Sequence, residues 1–137
     1  MKRLLVILVA CGGSKTPPPL PPLPHTAYAH YLEGKLDGFK DNWGEAADAL
    51  AQAAAAAPDQ PMVTVELARA QARAKRADAA RATLAAARTK WPKHAQIWIA
   101  SGDLLAQTAP DEAMHAYRRA IALEPTDERA YLGLAKL

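Results

Sequence analysis

The chain is poor in most of the residues that carry chemistry. It has one cysteine, Cys11, in 137 residues. None of its four histidines, His25, His30, His94 and His115, forms an HxxxH pair or stands with cysteines at metal spacing. There is no G-x-S-x-G, no phosphate-binding glycine loop and no nucleophile–base constellation. Catalysis, a metal and a cofactor are therefore not expected. Aromatic residues number eight, so any core is thin and local. The unbroken apolar run at residues 4–10 is too short to cross a bilayer, which takes about 20 residues.

What the chain does have is a period. Ala46, Leu50, Ala53 and Pro58 read small, large, small, proline. Ala80, Leu84, Ala87 and Pro92 repeat that frame, and Ala113, Tyr117, Ala120 and Pro125 repeat it again. The prolines are 34 and then 33 residues apart, the spacing of a helical repeat array. In the second unit the pattern predicts helices over residues 61–74 and 77–90. Pro61 suits a first helical turn, and Pro92 forces the preceding residue out of the α region. Ala80 and Ala87 lie on one helical face and let two axes approach, with Leu84 filling the space between them. Gly34 and Ala68 stand twelve residues before their frames, and Gly102 stands eleven before Ala113. One residue is lost in the turn at Ala109 and Pro110, which accounts for the 33. The run from Ala53 to Ala57 is expected to be helical, because alanine is the best helix former.

This pattern resembles the tetratricopeptide repeat. The third unit carries it through Trp98, Gly102, Ala113, Tyr117, Ala120 and Pro125, and the second through Leu67, Ala68, Ala80, Leu84, Ala87 and Pro92. The first has Gly34, Trp43, Glu45, Ala46, Leu50, Ala53 and Pro58, but departs at His30, where a large apolar residue is usual, and at Glu33. Tyr131, Leu134 and Ala135 fit the opening of a fourth unit. The resemblance implies an all-α fold. It would be a right-handed α-α superhelix of about three helix-turn-helix units at residues 27–60, 61–94 and 95–127, with a terminal helix at 128–137. It also implies a surface that binds proteins rather than an enzyme.

The first residues read differently. Met1, Lys2 and Arg3 make a basic start before the apolar run, and Leu8-Val9-Ala10-Cys11 resembles the bacterial lipobox. That resemblance implies a signal at residues 1–10, cut before a lipidated Cys11. Acyl chains there would hold the chain to a membrane. Gly12 after the cysteine favours the outer membrane, facing the periplasm. Residues 11–26 then form a tether. Its six prolines, Pro17, Pro18, Pro19, Pro21, Pro22 and Pro24, favour polyproline II and a reach of roughly 40 Å at about 3.1 Å per residue.

Net charge is +3, and removal of Lys2 and Arg3 with the signal leaves +1. The distribution says more than the sum. Residues 61–95 hold eight bases and two acids, whereas residues 24–60 hold two bases and six acids. A basic unit beside an acidic one fits pairing between repeats, or a patch that steers an acidic partner. Nucleic acid is not expected, since only one aromatic, Trp91, stands among the basic residues of this stretch and the lipobox resemblance implies a place outside the cytoplasm.

In the tetratricopeptide family the first helix of each unit lines the concave face. Carried onto this chain, the partner-binding candidates are Tyr28, Tyr31 and Lys35, then Met62, Val65, Arg69 and Arg73. Ile99, Asp103 and Gln107 follow from the third unit, and Leu132 and Lys136 close the set. The expected partner is a protein or peptide of acidic character. The chaperone-binding subclass clamps a carboxylate with lysines and asparagines. The sole asparagine here, Asn42, is expected in a turn, so that specificity is not implied. The apolar terminal helix offers an edge for self-association. The expectation is a membrane-anchored scaffold of the bacterial envelope. Its alternatives are a pilotin-like factor for secretin or pilus assembly, and a cytosolic adaptor if the start is not a signal.

Overall fold

The computed structural model describes residues 22–137. The expected signal, the lipidation site at Cys11 and most of the tether fall at residues 1–21, outside the described residues.

Among the described residues seven helices follow in order: α1 (His25–Phe39), α2 (Trp43–Ala56), α3 (Pro61–Arg73), α4 (Ala77–Lys90), α5 (Ala95–Leu105), α6 (Pro110–Leu123) and α7 (Glu128–Ala135). They pair as hairpins α1–α2, α3–α4 and α5–α6, each stacked on the next, with α7 closing on α6 and α5. The fold is the expected α-α superhelix. Pro61 and Pro110 occupy the first turns of α3 and α6, where a missing N–H has no helical partner. Helix α1 begins two residues before the expected unit boundary, with the Tyr28 amide bonded to the Pro24 carbonyl. His30 stands on α1 despite its departure from the pattern, half-buried and 3.5 Å from Glu33.

The frame alanines work as the spacing requires. Ala46, Ala53, Ala80, Ala113 and Ala120 are wholly buried. Three local clusters form instead of one central core. Leu50 packs with Ala46, Ala47, Leu67 and Ala70; Leu84 with Val65, Ala68, Ile97 and Ala100; Tyr117 with Ile99, Leu105, Ala113 and Ala130. Each cluster joins one hairpin to its neighbour, the arrangement of a solenoid.

The turns after α1 and α3 share one backbone. Asp41 and Lys75 both adopt φ 61°, and in each turn an amide two residues past the helix reaches back into its last turn. The acidic first unit and the basic second unit are stitched by three ion pairs: Lys35–Glu66 at 2.7 Å, Arg76–Asp48 at 2.5 Å and Lys90–Asp59 at 3.0 Å.

Candidate interaction groove

Along the side lined by α1, α3, α5 and α7, three depressions run into one another. The first lies between α1 and α3, about 320 Å³, with Lys35, Phe39, Trp43, Glu66, Arg69 and Arg73 on its walls. The second lies between α3 and α5, about 430 Å³, and shares Arg69 and Arg73 with the first. The third lies between α5 and α7, about 480 Å³, and shares Asp103 and Gln107 with the second. Leu50, Leu84 and Leu104 form the apolar floor.

Seven of the residues singled out from sequence come together here: Lys35, Arg69, Arg73, Asp103, Gln107, Leu132 and Lys136. Tyr28 and Met62 are exposed near the starts of α1 and α3 but line none of the three depressions. Tyr31 is half-buried against the Leu50 cluster. Val65 and Ile99 are corrected. They are 0% and 1% exposed, packed against α4 and α6 inside the Leu84 and Tyr117 clusters rather than on the groove surface.

The electrostatics are not those of a bare cationic groove. Glu66 accepts from Lys35 Nζ at 2.7 Å and from Arg69 Nη1 at 3.1 Å. Burial alone would raise the Glu66 carboxyl. The Lys35 hydrogen bond and the two positive charges outweigh it, and the pKa falls below the usual carboxylate value. The same hydrogen bond lifts Lys35, against a smaller opposing effect of burial. Arg73 lies over the Trp43 ring, 4.5 Å from its centroid, and makes no ion pair among the described residues. At the far end, Tyr117 Oη donates to Asp103 Oδ1 at 2.7 Å, and burial together with that carboxylate pushes the phenol well up. Glu66, Phe39 and Trp43 are wall residues that the sequence reading did not pick out. Glu66 follows Lys35 by 31 residues, a separation that only the fold brings together.

Among the described residues no group of His, Cys, Asp and Glu could hold a metal ion, and no helix is long and apolar enough to cross a membrane. The groove is a polar-walled, leucine-floored channel.

Residues 40–102 match a family model described as tetratricopeptide repeat. No curated protein sequence matches the chain. Among solved structures, the Sgt2 TPR domain from Aspergillus fumigatus is similar with a TM-score of 0.75 at 22% identity, over 82% of this chain and 77% of that one. The first TPR domain of the human RPAP3 protein gives 0.74 at 24% identity, over 82% and 89%. The first TPR of Spaghetti (RPAP3), bound to the HSP90 peptide SRMEEVD, gives 0.71 at 23% identity, over 81% and 89%.

Proposed function

We propose, from the premise that this chain is a tetratricopeptide-repeat protein, that it is a docking scaffold whose concave groove takes an acidic peptide segment of a partner protein. The carrying observation is the run of Lys35, Arg69 and Arg73 along a leucine-floored channel, with one carboxylate, Glu66, holding two of the three cations. An acidic segment would take over the role of Glu66 and add Arg73. The peptide in the Spaghetti (RPAP3) structure is itself acidic, which supports this choice of partner chemistry. The role is non-enzymatic.

The lipobox-like run ending at Cys11 supports a second part of the reading, a membrane-anchored scaffold of the bacterial envelope, on the outer membrane and facing the periplasm. The proline tether would set the repeats roughly 40 Å from the lipid. The most specific version of this role is pilotin-like assembly of a secretin or pilus, which shares the layout of anchor, spacer and repeats.

Fluorescence anisotropy with labelled acidic, neutral and basic peptides on the full chain tests the groove. Acidic peptides should bind best, and Arg69→Glu/Arg73→Glu should abolish the preference; unchanged affinity removes the groove from the account. Glu66→Gln frees Lys35 and Arg69 and should tighten acidic-peptide binding several-fold. Palmitate labelling with a Cys11→Ser control tests the anchor separately.

A further inference from the structure

A further depression, of about 240 Å³, lies between α4 and the start of α6, over α5. Leu84 and Leu104 floor both this depression and the concave groove, so the two lie back to back. Arg81 and Arg88 stand on its α4 wall, seven residues apart on one helical face, hence about 10 Å apart along the axis. Leu105 extends the apolar floor, and the Ser101 hydroxyl beside it already donates to the Ile97 carbonyl at 2.8 Å. Neither arginine makes an ion pair among the described residues; Arg88 lies over the Trp98 ring, 5.6 Å from its centroid. The single carboxylate on the opposite wall is Glu112, which leaves the cleft with one excess positive charge. The cleft therefore fits an apolar side chain carried between carboxylates.

The chain carries such an element at its other end. The turn after α1 puts Phe39 between Asp37 and Asp41, and Phe39 is 83% exposed. The turn is held in shape: the Lys40 and Asn42 amides both donate to the Asp37 carbonyl, at 3.0 and 2.9 Å, and Asp41 sits at φ 61°. Neither aspartate side chain makes an ion pair among the described residues. Charge favours the match more widely. Residues 25–60 carry −4 and residues 61–94 carry +6, and the ion pairs inside the molecule satisfy only part of that difference.

We propose that the Asp37–Phe39–Asp41 turn of one copy seats in the α4–α6 cleft of a second, with Phe39 on the leucine floor and the aspartates on Arg81 and Arg88. The contact joins two different surfaces, so it repeats head to side and builds rings or open chains. It uses none of the concave cations; Phe39 also stands on the wall of the α1–α3 depression, so the aspartate and arginine reversals, which touch no residue of the groove, are the variants that separate it from peptide binding.

Sedimentation of the full chain over a concentration series tests it. The wild-type mass should rise with concentration, and salt should suppress the rise. Asp37→Arg/Asp41→Arg alone and Arg81→Glu/Arg88→Glu alone should each stay monomeric, with far-ultraviolet circular dichroism confirming that each keeps its helices. Their equimolar mixture should associate again, because each then offers the charge that the other lacks. Phe39→Ser should weaken association roughly tenfold or more. A wild type that is monomeric throughout overturns the proposal. So does a mixture that stays monomeric, or charge-reversed variants that associate as the wild type does, the result expected of a contact through α7.

Discussion

One ring spaces three helices. A methyl placed on Gly102 would lie 2.6 Å from Tyr117 Cε1, and one on Gly133 would also strike the Tyr117 ring. Tyr117 thus lies on α6 between glycines of α5 and α7, with its hydroxyl tied to Asp103. In the preceding unit the smaller Leu84 occupies the same station, and there the facing residues are Ala68 and Ala100. The Tyr117 ring goes with two glycines and Leu84 with two alanines, while Leu50 in the first unit faces Gly34. Gly102→Ala should therefore destabilise the protein by about 1–3 kcal/mol through overpacking, despite a helix-propensity gain of about 1 kcal/mol. The triple change Gly102→Ala/Gly133→Ala/Tyr117→Leu should recover most of that loss in urea unfolding, apart from the bond to Asp103. This small–large alternation was legible in the sequence because it repeats. The placing of Glu66 between Lys35 and Arg69 was not, because nothing at residue 66 marks which α1 side chain will face it.

The helices themselves were well marked. Proline and the alanine frame gave α4 its bounds and α3 its bounds to within one residue, since a proline's missing N–H and its clash with the preceding residue act locally. The face each helix presents was harder to read. Val65 and Ile99 look like groove residues in a chain where alanine makes nearly every helical face apolar; their depth is decided by Leu84 and Tyr117 across the hairpin. Two element ends also carry pH dependence. Asp127 caps α7, accepting from the Arg129 amide at 3.0 Å and from Gln96 Nε2 at 2.8 Å. Its hydrogen bonds, led by the Arg129 side chain, hold its pKa at about 2, below the ordinary 3.8. Its contribution is therefore complete above pH 3.8 and is lost as pH falls through about 2. Amide signals of α7 should broaden or shift in that window, and Asp127→Ala should loosen α7 at neutral pH and remove the window. At the start of α5, burial pulls the His94 pKa below 6.5 against a weaker pull from Glu124, and His94 Nδ1 is buried without a partner among the described residues. A histidine whose folded pKa is depressed favours the folded state fully above the unfolded value. Stability should thus decline as pH drops below 6.5, and His94→Asn should flatten that slope in thermal melts.

At the scale of the whole molecule, stability is a chain of neighbour contacts rather than one core. The Leu84 cluster, which draws on α3, α4 and α5, has covered neighbours on both sides. Helix α1 leaves Tyr28, Leu32, Leu36 and Phe39 largely in water, and α7 does the same with Tyr131 and Leu132. Hydrogen exchange should accordingly be slowest through α3–α5 and fastest in α1 and α7, as expected where opening is local; uniform protection would mean a single cooperative block instead. The placement of Tyr117 also bears on how such a chain can be spliced. Its ring belongs to one hairpin by sequence and to the following helix by fit, and Leu84 straddles its own boundary in the same way. A transplant cut at Pro125 severs the ring from Gly133, whereas one that carries the seat along with its occupant moves a self-sufficient joint. The interchangeable part of this protein is the seam, not the hairpin.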